Sequence, residues 1–224
     1  MTIIPEDTAA RAAAPSVETS GSVRTRLPRT ARRAQLLRAA QEVFVAQGYH
    51  AAAMDDIAEC AGVSKPVLYQ HFPGKLELYL ALLDQHVDDL VAAVRRALAS
   101  TTENKLRVAA TIQAYFDFVD REGGAFRLVF ESDLTNEPAV RDRVERVTQD
   151  CAQAIGEVIQ EDTGLSREES MLLGVGLAGM AQVTARYWVA ADGSVPRGAA
   201  AALVANLSWR GIRGFPRSHD ASSP

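Results

Sequence analysis

Residues 54–72 read MDDIAECAGVSKPVLYQHF, and this stretch decides the fold of the chain. Its first half carries apolar residues at the spacing of one helix face, at Met54, Ile57, Ala58 and Ala61. Gly62 follows them, where the end of a helix favours a residue that tolerates a left-handed backbone. Ser64 is a favourable N-cap, and Pro66 suits a first helical turn because its missing N–H would have no partner there. The stretch therefore predicts two helices joined by a tight turn.

The second of these helices has polar side chains that suit DNA. In a helix-turn-helix motif, the second helix enters the major groove. An ordinary helical corner in a core is the alternative, but it would not need exposed groups that bond to phosphates and base edges. The sequence supplies four such groups, Lys65, Tyr69, Gln70 and His71. We therefore predict a DNA-binding motif.

Residues 62–79, GVSKPVLYQHFPGKLELY, resemble the DNA-binding signature of the TetR family of bacterial regulators, and the likeness runs over residues 32–83. Other stretches resemble in particular the actinobacterial regulators of fatty-acid synthesis within that family. They are LPRTARRAQLL, FVAQGYHAAAMDDIAECAGVSKPVLYQHF and KLELYLALL, with weaker similarity in AYFDFVD, RLVFESD and ARYWVAAD. Many family members carry a small residue where Pro66 stands, so an operator sequence does not transfer to this chain.

Composition indicates a soluble globular protein of one or two domains. The chain has 224 residues, of which 47% are hydrophobic and 23% charged. No apolar run reaches the roughly 18 residues of a membrane helix, and the N-terminus lacks a secretory pattern. We therefore expect a cytoplasmic protein. Cys60 and Cys151 match no metal or redox spacing, and we expect both to be small buried groups.

The net charge of −4 hides an uneven distribution. Residues 24–75 carry eight Lys or Arg against four Asp or Glu, whereas the rest of the chain is acidic. A basic segment around a helix-turn-helix is a plausible electrostatic footprint for DNA, although charge runs more often mark solvated faces.

The fold class expected is all-α with about nine helices, because helical apolar spacing recurs along the chain and no strand pattern competes with it. We expect a three-helix DNA-binding unit followed by a helical ligand-binding and dimerisation bundle. The boundaries are a disordered tail at 1–23, a basic arm and DNA-binding domain at 24–74, the bundle at 75–215 and a tail at 216–224. The bundle would include a short helix at 125–131.

The expected DNA contacts come from the arm and the motif. By the family resemblance, Tyr69 and His71 contact phosphates, and Lys75 can reach the same backbone from the next helix. Side chains between residues 64 and 70 would meet base edges, and the arm would reach phosphates or the minor groove. The full set is Arg24, Arg26, Arg29, Met54, Ser64, Lys65, Pro66, Val67, Tyr69, Gln70, His71 and Lys75.

A regulator of this type needs an effector cavity, and apolar residues of the bundle are the material for it. For any single residue, ordinary core packing is the alternative. The candidates are Leu90, Val94, Leu98, Ile112, Tyr115, Phe116, Val119, Phe126, Phe130, Cys151, Ile155, Gly179 and Val183. A lining of this apolar character favours a fatty acyl chain or a flat hydrophobic ligand.

Three glycines within one helix, Gly174, Gly176 and Gly179, each cost about 1 kcal/mol relative to Ala. They indicate a close approach between helices or room for a ligand. By the family resemblance, the last two helices form a four-helix homodimer interface, with Trp188 and Trp209 as candidate anchors. Tight packing within one subunit explains the small residues equally well.

The leading function is a ligand-responsive, homodimeric regulator of transcription. The closer resemblance implies that it binds and activates a fatty-acid biosynthesis promoter and is released by long-chain acyl-CoA. The alternative is a TetR-type repressor of an efflux or catabolic operon that senses another hydrophobic compound. An enzyme and a helical adaptor without DNA contact are the other classes. No nucleophile elbow, phosphate-binding loop, dinucleotide fingerprint or metal-ligand spacing is present, so we expect no catalysis, cofactor or metal.

Overall fold

The computed structural model describes residues 27–121, 134, 136–191 and 194–212, and the regular secondary structure in these ranges is helical. The eight described helices are α1 (Arg29–Ala51), α2 (Met54–Cys60), α3 (Lys65–His71), α4 (Lys75–Ala99), α5 (Asn104–Arg121), α6 (Pro138–Thr163), α7 (Arg167–Ala190) and α8 (Arg197–Ile212). The all-α prediction is confirmed. The helix expected at 125–131 and the tails expected at 1–23 and 216–224 lie outside the described residues.

The first three helices form a unit whose buried apolar residues belong to one continuous core with the bundle. Helix α1 buries Leu36, Ala40, Val43 and Phe44, which have the spacing of one helix face. Its backbone leaves the helical conformation at Gly48, where φ is 77° and the sequence predicts an end. Helix α1 packs against both α2 and α4, so the unit is joined to the bundle through the start of α4.

The bundle is built around α4 and the antiparallel pair α6 and α7. Helix α4 packs against α5 and α6, and α5 packs against α7 and α8. The ends of the pair follow the sequence signals. Gly164 has a left-handed backbone after α6, and Ser166 and Glu169 form the reciprocal capping box that begins α7.

The glycines of α7 have different surroundings. A Cβ at Gly174 would lie 2.2 Å from the carbonyl oxygen of Ala152, so this glycine lets the backbones of α6 and α7 touch. Gly156 on α6 meets the backbone of Ser170 in the same way, at 3.1 Å. Nothing lies within 4 Å of a Cβ at Gly176 or Gly179. Packing within the subunit therefore explains Gly174 and leaves the other two glycines unexplained.

The outer faces of α7 and α8 expose apolar side chains. On α7, Val183 is 56% exposed and Tyr187 is 75% exposed, and on α8 Leu203 is 66% exposed. Both tryptophans have contacts within the chain. The indole N–H of Trp188 donates to the carbonyl of Val195 at 2.7 Å, and Trp209 borders the cavity described below.

Among the described helices, none has the length and apolar character required to cross a bilayer.

Candidate DNA-binding surface and effector cavity

The turn between α2 and α3 has the geometry that the sequence predicts. Gly62 has φ 62°, its N–H donates to the carbonyl of Glu59 at 2.9 Å, and the N–H of Val63 donates to Ala58 at 3.0 Å. These two bonds satisfy the last carbonyls of α2 in a Schellman arrangement. Ser64 stands at the N-cap of α3, but its hydroxyl makes no capping bond, so the turn is held by the backbone.

Helix α3 presents a polar face to solvent and one apolar anchor to the core. Leu68 is fully buried, whereas Tyr69 is 47% exposed. Lys65, Pro66 and Gln70 are exposed, Val67 and His71 are partly buried, and Met54 packs partly against the core at the start of α2. The structure thus brings together, on one surface, the described residues of the predicted recognition helix.

An exposed ion pair joins the start of this helix to α2. The ammonium of Lys65 lies 2.6 Å from the carboxylate of Asp55, and both side chains are more than half exposed. The hydrogen bond to Asp55 raises the pKa of Lys65. Because an exposed pair is weak, the ammonium can exchange Asp55 for a DNA acceptor at little cost.

Arginines of α1 lie beside the end of α3. The guanidinium of Arg33 stacks 4.3 Å from the ring centre of Phe72 and donates to the carbonyl of His71 at 3.4 Å. Burial lowers the pKa of His71, and the positive charges of Arg29, Arg33 and Arg32 lower it further. The end of the recognition helix therefore has a positive field suited to phosphates. Arg24 and Arg26 of the predicted arm lie outside the described residues.

Lys75 has partners that the sequence did not predict. Its ammonium donates to the carbonyls of Tyr49, His50 and Ala52 at 2.8, 3.2 and 2.8 Å, and it lies 4.6 Å from the ring centre of Tyr49. The first residue of α4 thus caps the end of α1. The predicted phosphate contact of Lys75 would have to compete with these three bonds.

Gln35 is a second positioning residue that we did not anticipate. Its amide donates to the carbonyl of Ala61 at 2.8 Å and accepts from Arg32 at 2.7 Å. These bonds tie α1 to the end of α2, directly before the turn. In the sequence, this role was indicated only by the polar character of Gln35, which directly precedes the buried Leu36 and Leu37.

A cavity of about 80 Å³ lies at the end of the bundle remote from α3. Three predicted residues border it, Leu98, Ile112 and Ile155. The other lining residues are Asn104, Arg107, Val108, Thr111, Val158, Ile159, Asp162, Thr163, Leu173, Leu177, Ser208 and Trp209. The walls are mainly apolar, as expected, but one end is polar. There the guanidinium of Arg107 lies 2.8 Å from the carboxylate of Asp162.

Most of the other predicted lining residues do not reach this cavity. Leu90, Val94, Tyr115, Phe116, Val119 and Cys151 are packed in the core. Val183 faces outwards, because the inner face of α7 is formed by the buried series 170, 174, 178, 181 and 185. Gly179 is partly exposed beside open space, and Phe126 and Phe130 lie outside the described residues.

The two cysteines differ from each other. Burial raises the pKa of Cys151 to about 11, so this thiol stays uncharged beside Tyr115. Cys60 is exposed, which makes the expectation of a buried group wrong. It lies on the solvent side of α2, where its thiol donates to Glu42 at 3.3 Å. Within the described residues, no group of three or more His, Cys, Asp or Glu is placed to hold a metal ion.

A three-helix unit that exposes its recognition helix, joined to a helical bundle with an apolar cavity, defines a DNA-binding regulator of transcription. Residues 36–82 match the profile of bacterial regulatory proteins of the tetR family. Over 191 residues the chain is 47% identical to the HTH-type transcriptional activator FasR of Mycolicibacterium smegmatis, covering 85% of this chain and 87% of that protein. The chain belongs to the TetR family of bacterial regulatory proteins.

Solved structures agree with this assignment. A TetR-like transcriptional regulator from Rhodococcus sp. RHA1 is 26% identical, with a TM-score of 0.66 and coverage of 84% of this chain and 100% of that one. The regulator FadR of Bacillus subtilis, solved in complex with stearoyl-CoA, shares the fold at 20% identity and a TM-score of 0.66, covering 80% and 98%. The relative at 47% identity is a transcriptional activator, which confirms the predicted class of a regulator as opposed to an enzyme.

Proposed function

We propose that this protein is a dimeric activator of fatty-acid biosynthesis genes that leaves its operator on binding long-chain acyl-CoA. The observation that carries the proposal is the 47% identity to a transcriptional activator, because it extends over 191 residues and so includes both the DNA-binding unit and the bundle. The same fold accommodates stearoyl-CoA in the Bacillus subtilis regulator. Such a protein acts on DNA in the cytoplasm.

The exposed face of α3 would supply the DNA contacts. In a dimer, two copies of α3 enter successive major grooves with centres roughly 34–36 Å apart, which calls for a palindromic operator. Tyr69 and His71 would hold phosphates, while Lys65 and Gln70 would meet base edges. The positive field from the α1 arginines favours the same placement.

The outer faces of α7 and α8 would form the dimer interface. Both helices carry exposed apolar side chains, Leu172, Val183 and Tyr187 on α7 and Leu203 and Leu207 on α8. Exposed apolar surface on this scale usually marks an interaction site. The open space beside Gly176 and Gly179 leaves room for a helix of the second subunit to approach closely.

The effector would bind by enlarging the cavity. Its volume of about 80 Å³ is far below the roughly 300–1,000 Å³ of ligand pockets, so a long acyl chain fits only after the surrounding helices move apart. A ligand that fits only the enlarged bundle shifts the population towards it. Helix α4 extends from Leu98 at the cavity to Lys75 at the DNA unit, roughly 35 Å away at 1.5 Å per residue. It can therefore transmit the change.

The test is operator binding titrated with acyl-CoA of several chain lengths. We expect palmitoyl-CoA to release the protein from fatty-acid biosynthesis promoter DNA and octanoyl-CoA to release it poorly. Leu98→Phe fills part of the cavity and should retain DNA binding while losing most of the response. Leu106→Phe is the matched control, because Leu106 is 49% exposed on the neighbouring helix. Tyr69→Ala should bind DNA weakly with or without ligand.

The outcomes separate the two candidate regulators. If acyl-CoA of no chain length releases the wild-type protein, the acyl-CoA effector is wrong, and a repressor that senses another hydrophobic compound replaces it. If palmitoyl-CoA releases Leu98→Phe from DNA as readily as the wild type, the protein is still a regulator that responds to acyl-CoA, but the cavity is not the effector site.

A further inference from the structure

Thr111 is a polar residue in an otherwise apolar part of the cavity wall. It is 5% exposed, and its hydroxyl has no hydrogen-bond partner among the residues that the structure describes. The apolar residues of the same wall include Val108, Ile112 and Ile155. Burying a hydroxyl without a partner is unfavourable, and a valine of the same shape would avoid the penalty. The position therefore indicates a ligand atom that accepts a hydrogen bond.

The polar end of the cavity lies one helical turn from this hydroxyl, because Arg107 precedes Thr111 by four residues on α5. Arg107 is already occupied. Its guanidinium donates to the carbonyl of Thr101 at 2.8 Å, to the amide oxygen of Asn104 at 3.1 Å and to Asp162 at 2.8 Å. Its side chain is 17% exposed. The positive charge is thus balanced before any ligand arrives.

These two features favour different parts of a ligand. A free carboxylate at Thr111 would bring a second negative charge close to Asp162 in a poorly solvated place, which is unfavourable. A neutral carbonyl has no such penalty and needs only one donor, which Thr111 supplies. The partly exposed end at Arg107 leaves a path for a large head group to remain in solvent.

We infer that Thr111 donates a hydrogen bond to the thioester carbonyl of the bound acyl-CoA, and that the Arg107–Asp162 pair discriminates against free fatty acids. The inference rests on the proposed function. The thioester would lie one turn inside the polar end, with the CoA moiety outside and the acyl chain directed towards Ile112 and Ile155.

Two ligands that differ only at the carbonyl test the first part. Palmitoyl-CoA has the thioester carbonyl, whereas S-hexadecyl-CoA is a thioether that lacks it. Calorimetric titration would measure both affinities for the wild type, for Thr111→Val and for Thr111→Ser. We expect Thr111→Val to weaken palmitoyl-CoA binding roughly 2- to 12-fold, the range for one hydrogen bond. S-hexadecyl-CoA should bind Thr111→Val and the wild type with equal affinity. Thr111→Ser keeps the hydroxyl and should therefore retain most of the difference in affinity between palmitoyl-CoA and S-hexadecyl-CoA.

A merely structural role for Thr111 gives a different result. Thr111→Val then changes both affinities by the same factor, and the inference is overturned. Thermal unfolding without ligand provides an independent measurement, because removing an unpartnered hydroxyl should leave the melting temperature of Thr111→Val equal or higher. A lower melting temperature would show that the hydroxyl already has a partner in the free protein, and would also overturn the inference.

Palmitate tests the second part. We expect the wild-type protein to bind palmitate much more weakly than palmitoyl-CoA. Asp162→Asn should strengthen palmitate binding and so reduce the difference between the two affinities. If Asp162→Asn leaves this difference unchanged, the ion pair does not discriminate against free fatty acids. Failure of the proposed function looks different, because then neither CoA compound binds or releases the wild-type protein from DNA.

Discussion

Replacing Lys75 by Met separates two roles that a lysine at this position can have. The ammonium donates to three carbonyls at the end of α1, two of them in partly buried surroundings. Methionine keeps most of the length of the side chain and removes the donors. If the lysine acts mainly as a cap, the variant loses stability and loses DNA affinity only as a consequence of a less ordered unit.

The magnitude follows from these bonds. A hydrogen bond to a charged group contributes about 1.5–3 kcal/mol when its partner is buried, but the carbonyl of His50 is exposed and regains water. The contact with Tyr49 adds about 0.5–1 kcal/mol at a partly exposed site. Allowing for water at the other carbonyls too, we expect a net loss of about 1–3 kcal/mol, or a melting temperature lower by roughly 2–12 °C.

Salt dependence identifies the second role. The slope of log affinity against log salt concentration falls by about one for each phosphate that a variant no longer neutralises. We expect Lys75→Met to keep the wild-type slope, with affinity reduced by a similar factor at every salt concentration. Arg29→Met is the control, because Arg29 is an exposed arginine near the end of α3. It should show the reverse, a reduced slope with little change in melting temperature. A normal melting temperature together with a reduced slope for Lys75→Met would refute the capping role.

Two further outcomes are expected. Gly174→Ala would place a Cβ 2.2 Å from a backbone oxygen of α6 and should destabilise the protein by about 1–3 kcal/mol. The control is Gly198→Ala near the start of α8, where a Cβ meets open space and should not destabilise. Thermal unfolding would measure the difference, and equal stabilities of the two variants would contradict the close contact. For His71, a lowered pKa means that the unfolded chain binds more protons near pH 6.5, so stability falls as pH drops through that range. A phosphate beside the imidazole ring would favour its protonated form, so the operator affinity of the wild type should rise between about pH 7.5 and pH 6. The variant His71→Gln should not show this rise. If both proteins give the same pH profile of operator affinity, His71 does not contact a phosphate.

The helix-turn-helix was predictable because its signals are local. Gly62 needs a left-handed backbone, Leu68 is the apolar position of α3, and Ser166 with Glu169 begins α7 as a capping box; each depends on residues within one turn. The role of Ser64 was only half predictable. Its position at the N-cap follows from the sequence, but the hydroxyl does not form the bond that usually explains this preference.

The cavity was harder to place, for a geometric reason. Helical periodicity shows that Leu90, Val94 and Leu98 share the buried face of α4, but it does not show which of them borders a void. A void depends on how five helices are spaced at one level of the bundle, which involves contacts far apart in the sequence. Thr111 was the available signal, a polar residue on the otherwise apolar face of α5.

Asp84 and Asp88 on α4 are four residues apart and face α6, where Arg146 lies 3.3 Å from each carboxylate. Arg143 adds a second cation, 3.0 Å from Asp84. Arg146 therefore pairs with both carboxylates at once. One helical turn separates the two carboxylates, so sliding α4 along α6 by about 5.4 Å would carry one of them away from Arg146 and break an ion pair that the present register makes. Helices α6 and α7 are in backbone contact at Gly174 and would stay in place during such a movement. The cluster thus favours the present register of α4, and an effector that displaces this helix along α6 must offset the lost pairing.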